Sequence, residues 1–221
     1  IPRKNLGYSA GNNLAAKFVN TKYIYFINPD IFLTENNLDI LVKQFENNSN
    51  LGLITPSLIN KNNNLLNNKM IFPEKRNKKI ISDFDNKFDW IWGASMMIKK
   101  DIFLECGGFD ENFFMYNSDV DLCKKIYLLG YEIQECSDLK IVHLGAKSSN
   151  INFLENSILK ISHKFSMYQY LKKYNFLTTS KLIIDFLDFF QRMIVNFLLL
   201  RFKKIFINFL RIIAIIKFLT Y

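Results

Sequence analysis

Apolar and polar positions in the first two-thirds of the chain fall into short strand-like runs separated by helical stripes. After an Asn-rich, loop-like start, Tyr23-Ile24-Tyr25-Phe26-Ile27 is an apolar, β-favouring run that stops at Asn28-Pro29-Asp30. That is the pattern of a buried strand running into a loop. Leu38, Leu41, Val42 and Phe45 follow at i, i+3, i+4 and i+7, which predicts an amphipathic helix. Leu51–Ile59 reads as a strand, and residues 60–88, polar and aperiodic, as a long surface loop or insertion. Trp90-Ile91-Trp92 and Met96-Met97-Ile98 form a buried strand interrupted at Gly93-Ala94. A short helix from Asp101 ends at Gly107-Gly108, and Ser118 caps a helix running to Leu129, stopped by Gly130. Tyr131–Cys136 and Leu139–Leu144 read as two strands. Strands and helices in this order predict an α/β sheet with ligands at the carboxyl ends of its strands.

From Phe153 the pattern is helical to the end. On a helical wheel over residues 185–217, Asp185, Asp188, Arg192, Asn196, Lys203, Lys204, Arg211 and Lys217 share about half of the circumference. Leu, Ile and Phe fill the rest, with Arg201 the one exception. No uncharged run approaches the roughly 20 residues that span a bilayer, so the tail reads as a basic amphipathic helix lying in a membrane interface. The expected organisation is therefore a sheet domain over residues 1–152 and a helical, membrane-associating region over 153–221.

Charge sharpens that division. Residues 160–221 hold eleven Lys and Arg against two Asp, which is the whole of the formal net charge of +9. The front of the chain is balanced, and the basic excess adds attraction to anionic lipid. Nucleic-acid binding has only this charge behind it and is not expected. Cys106, Cys123 and Cys136 form neither a CxxC pair nor an even disulfide framework, which points to a reducing compartment. The chain opens at Ile1 without the three-part pattern of a signal peptide.

Three polar features sit at the predicted strand ends. Asp30 follows the first strand, Asp119 and Asp121 open the helix from Ser118, and His143 ends the last strand. A hard divalent cation takes carboxylate oxygen and tolerates imidazole, so Asp30 and His143 are candidates for one Mg²⁺ or Mn²⁺. A separate carboxylate at a helix start is placed to take a proton from a nucleophile, and the helix dipole favours its ionised form.

The order and wording of the motifs add to this. Asn5-Leu6-Gly7-Tyr8-Ser9-Ala10-Gly11-Asn12-Asn13, Asn28-Pro29-Asp30 and Trp92-Gly93-Ala94 come first. Gly107-Gly108-Phe109-Asp110-Glu111-Asn112-Phe113-Phe114-Met115-Tyr116, Asp119-Val120-Asp121-Leu122-Cys123 and Val142-His143-Leu144-Gly145 follow. Together they resemble family 2 glycosyltransferases, in particular the bacterial rhamnosyltransferase-like branch that builds cell-surface polysaccharide. The resemblance implies a partial GT-A (Rossmann-like) α/β fold, a nucleotide-sugar donor (dTDP-rhamnose for this branch), a divalent metal and an inverting single displacement onto a glycan or lipid-linked acceptor. By the same resemblance Asp30 and His143 bind the metal and Asp119 is the base. Asn5, Gly7, Asn13 and Asn28 lie beside the donor, and Trp92, Gly93, Ala94, Phe109 and Asp110 shape the sugar and acceptor pocket. The expected location is peripheral, on the cytoplasmic face of the membrane.

Two departures stand out. Ser118 occupies the place where the family usually has Glu. The family domain also opens with a strand–helix–strand unit holding the nucleobase, so the resemblance places part of the donor site ahead of Ile1. These departures frame an alternative, a non-catalytic remnant serving as a membrane-bound interaction module.

Overall fold

The Asn-rich start is a helix, α1 (Gly7–Ala16), rather than a loop. Gly7, at φ +79°, turns the chain into it, and the Tyr8 N–H donates to the Phe114 carbonyl at 2.8 Å. A distant segment thus satisfies one of the amides that every first helical turn leaves open. Burial of Ser9 and Ala16 holds the helix down. The computed structural model describes residues 4–33, 37–75, 89–145 and 152–220. The chain divides into two compact units, Ile1–Phe114 with Ser118–Ser149, and Met115–Asn117 with Asn150–Tyr221.

In the first unit the remaining elements are β1 (Tyr23–Ile27), β2 (Ile31–Phe32), α2 (Asn37–Asn47), β3 (Leu51–Ile59), β4 (Lys69–Met70), β5 (Trp90–Ile91), β6 (Ser95–Lys99), α3 (Lys100–Glu105), α4 (Ser118–Leu128) and β7 (Glu132–His143). Five of these strands form a mixed sheet in the order β1-β6-β3-β7-β2. β3 and β7 are parallel, β6 runs against both β1 and β3, and β2 runs against β7. The carboxyl ends of β1, β3 and β7 therefore lie on one edge of the sheet. Eight of the nine residues of β3 are buried, as expected of a central strand covered on both faces. Leu41 and Phe45 of α2 pack on Ile54, Leu58, Met97, Leu139 and Ile141 in one core cluster. Phe26, Phe103 and Phe109 meet in edge-on and tilted ring contacts.

Two sequence expectations change here. The pair of strands expected at 131–136 and 139–144 is one strand, β7. Its register jumps from Pro56↔Cys136 to Ser57↔Lys140. Pro56 has no N–H for the ladder, so the partner strand bulges there and hides its continuity in the sequence. The expected loop at 60–88 contains a small hairpin, with Lys69 and Met70 paired to Ile91 and Trp90. Asp89 fixes it by accepting from the Phe72 N–H at 2.9 Å and from Lys75 at 2.8 Å. Residues 76–88 lie outside the described residues.

The second unit contains α5 (Phe153–Lys173), α6 (Thr179–Leu198) and α7 (Phe202–Thr220). Asn152 and Glu155 form a reciprocal capping box on α5, and Thr178 caps α6 by accepting from the Lys181 N–H. Tyr168, Phe189, Ile212, Ile215 and Phe218 make the core of the unit. The single helix expected over 185–217 is broken at Leu199–Arg201. Leu200 adopts φ +52°, and the Arg201 N–H donates to the Asn196 carbonyl at 2.8 Å. Arg201, the exception on the wheel, lies in this break. Among the described residues no helix is long and apolar enough to cross a membrane.

Candidate active site

The turn Asn28-Pro29-Asp30 leaves the carboxyl end of β1 stitched to the start of β6, the Asn28 N–H donating to the Ala94 carbonyl at 2.9 Å. The chain then enters β2, which pairs with the end of β7 in the register Ile31↔His143. The Leu144 N–H donates to the Asp30 carbonyl at 3.1 Å, locking that register. As a result His143 Nε2 lies 3.3 Å from Asp30 Oδ2. Residues 113 apart in sequence are brought together by a strand of two residues. The His143 ring is buried, and its Nδ1 has no hydrogen-bond partner among the described residues. A carboxylate and an imidazole side by side are a donor pair that would suit a hard divalent cation. Among the described residues no group of three or more His, Cys, Asp and Glu gathers.

Asp119 opens α4 and reaches the Trp92-Gly93-Ala94 segment. Its Oδ2 accepts from the Gly93 N–H at 2.8 Å and its Oδ1 from the Val120 N–H at 2.9 Å. Burial pushes its carboxyl above the ordinary value of 3.8, against the opposing pull of those N–H donors. The helix start was expected to favour the ionised form; desolvation outweighs it. Ser118 beside it is buried at the head of the helix. Asp121 points elsewhere, fully buried with Lys125 Nζ at 3.5 Å, and Lys125 also donates to the Gly108 carbonyl.

Tyr8 is the residue that motif reading passed over. Its hydroxyl donates to the Gly93 carbonyl at 3.0 Å, so Gly93 is held by Asp119 on its N–H and by Tyr8 on its carbonyl. Burial and the nearby Asp119 carboxylate push the Tyr8 hydroxyl pKa well up, which keeps it a donor. A Cβ on Gly93 would stand 3.2 Å from Tyr8 Oη and 3.3 Å from Asp119 Cβ. A side chain there would have to push Tyr8 and Asp119 back by a few tenths of an ångström.

The other expected residues divide into surface and support. Asn5 is exposed and accepts from the Gly7 N–H at 2.9 Å, and Trp92 is half-buried. Asn13 clamps Phe109, accepting from its N–H at 2.9 Å and donating to its carbonyl at 2.8 Å and to Glu111 at 3.0 Å. Its amide is thus spent on the protein itself. Phe109 is 2% exposed, with its ring centroid 5.4 Å from that of Tyr8, so it supports Tyr8 from within the core. Asp110 accepts from the Asn112 backbone and side chain in a local turn, and Ala94 is in the core.

Comparison with known proteins places the family and the fold. The model of glycosyltransferase like family 2 matches residues 1–155. Rhamnosyltransferase WbbL of Escherichia coli (strain K12) is 25% identical over 194 residues, 76% of this chain and 70% of that protein. The low-salt glycan biosynthesis hexosyltransferase Agl10 of Haloferax volcanii is 24% identical over 152 residues, 63% of this chain and 49% of its own length. Among solved structures, the mannosyltransferase PcManGT from Pyrobaculum calidifontis, in complex with GDP-Man and Mn²⁺, superposes with a TM-score of 0.52 at 15% identity. That match covers 80% of this chain and 46% of the mannosyltransferase. The mixed sheet flanked by helices is of the kind found in GT-A glycosyltransferases, and with the family model matched over the whole sheet unit, the chain belongs to glycosyltransferase like family 2.

Proposed function

We propose that the protein transfers a sugar from a nucleotide-sugar donor to a glycan or lipid-linked acceptor, by an inverting, metal-assisted displacement, in the synthesis of cell-surface polysaccharide. The observation that carries this reading is the pair of separate carboxylate stations on one sheet edge. Asp30 stands 3.3 Å from His143, and Asp119 is bound to Gly93 in the neighbouring loop. Asp30 and His143 are the residues that would hold the divalent cation, and the mannosyltransferase solved with Mn²⁺ supports such a role. A bound cation supplies positive charge against the leaving nucleoside diphosphate. Asp119 takes the proton of the acceptor hydroxyl. A carboxylate with a raised pKa is a stronger base than an ordinary one, and the fixed Gly93 and Val120 amides hold it in place. Rhamnose as the transferred sugar rests on the likeness to WbbL.

The protein is read as peripheral, on the cytoplasmic face of a membrane. Support comes from the exposed apolar side chains of α6 and α7, among them Ile184, Phe197, Phe202 and Leu219, beside the basic excess of the same region. The test of the catalytic reading is a screen of nucleotide-sugars for nucleoside diphosphate release, with and without Mn²⁺. Release from at least one donor that requires the metal is expected; a full panel without release would remove the reading.

A further inference from the structure

The three helices of the second unit line an open cleft of about 260 Å³ rich in positive charge. Lys160, His163 and Lys164 come from α5, Arg192 from α6 and Arg211 from α7. Asp188 is the one carboxylate lining it, and it is occupied by Arg192 Nε at 2.8 Å. Lys164 is answered by Asp185 at 2.9 Å, whereas Arg211, among the described residues, hydrogen-bonds to the neutral amide of Asn208 at 3.2 Å and to no carboxylate. The floor is the buried ring of Phe189, with Arg211 held over it at 5.4 Å and Lys164 at 5.2 Å. Cation–π contact fixes both cations in place. Two cations on one ring repel each other, and an anion between them turns that repulsion into attraction.

We infer that this cleft is a phosphate-binding site. Guanidinium forks match phosphate oxygens bidentately, and Lys adds a mobile point charge. Four Lys and Arg against one lining carboxylate suit a multiply charged phosphate better than a carboxylate ligand. The phosphate belongs either to a membrane lipid headgroup or to a soluble phosphate ester. All of the site's residues lie in the helical unit, and none of them is a residue assigned to the proposed transfer. The site gives the membrane reading a specific ligand without depending on it, because soluble phosphate binds with no membrane present.

The experiment uses the full chain and two probes, inorganic pyrophosphate by calorimetry, and phosphatidylcholine vesicles with or without phosphatidic acid by co-sedimentation. Saturable binding of at least one phosphate probe is expected. It should weaken about tenfold or more in Arg192→Gln/Arg211→Gln, which removes both forks. Pyrophosphate binding should persist in Lys203→Gln/Lys204→Gln, which removes equal charge from exposed positions outside the lining, and vesicle binding should fall less there than in the arginine pair. Lys160 is exposed, so Lys160→Gln leaves the helix core untouched and should still weaken binding several-fold. Pyrophosphate that displaces the protein from vesicles marks a site open to soluble phosphate; vesicle binding that resists pyrophosphate marks the lipid headgroup as the ligand. Saturation by neither probe, or equal loss in the two double variants, overturns the site.

Discussion

At the scale of single residues, Gly93 is the junction of the candidate site. It is bound on one side by Asp119 and on the other by Tyr8, and any side chain there presses on both. Gly93→Ala should lower turnover by roughly tenfold to a hundredfold through a displacement of tenths of an ångström, with the melting temperature little changed. Steady-state kinetics beside a thermal melt reads both. Asp119 makes a second, pH-dependent prediction. A base works when ionised, so the rate should fall as pH drops through its pKa, and burial has raised that pKa above 3.8. The acid limb of the rate profile should therefore lie above the ordinary carboxylate range and vanish in Asp119→Asn. A limb unchanged by that substitution would assign the titration to another group. Asp30, His143 and Asp119 were visible in the sequence because each ends a strand or opens a helix. Tyr8 was not, since a Tyr on a short helix carries no periodic signal and its role depends on a partner 85 residues away.

At the scale of elements, the least legible features are those set by a partner strand or by one backbone angle. The two-residue β2 is too short to show a pattern, yet its register against β7 is what joins Asp30 to His143. The bulge opposite Pro56 made one strand look like two. The break between α6 and α7 was hidden because apolar residues run through it without a Gly or Pro. Leu200 pays for that break with a left-handed φ of +52° while lying 71% exposed. Leu200→Gly should stabilise the free protein by about 1 kcal/mol, because the side chain packs little and the conformation costs a leucine roughly that much. Chemical denaturation measures this; a destabilised variant would show that Leu200 makes contacts worth more than its strain.

At the scale of the whole molecule, a nearly charge-balanced sheet unit carries the candidate chemistry, and a basic helical unit carries most of the exposed large apolar side chains. Composition alone shows the charge asymmetry, because every excess positive charge falls after residue 159. Ile184 and Phe197 are each more than 60% exposed and contribute little to the folded core. Replacing both with Ser should reduce binding to anionic vesicles about tenfold or more, each buried side chain of this size being worth roughly 1.5–3 kcal/mol. Raised salt should weaken binding of the unaltered protein as well. Equal sedimentation of the double variant and the unaltered protein would show that these side chains do not meet lipid.

The most direct test of the central claim compares Asp30→Asn with Asp119→Asn in the full-length protein, by donor-binding calorimetry with Mn²⁺ and by turnover. Asn keeps the shape of each side chain and removes its charge. The account predicts that Asp30→Asn loses metal-dependent donor binding and turnover together. Asp119→Asn should bind donor almost normally while turnover falls about 10²–10⁴-fold, the range for loss of a general base. Near-normal turnover in Asp119→Asn, or unchanged Mn²⁺ dependence in Asp30→Asn, would contradict it.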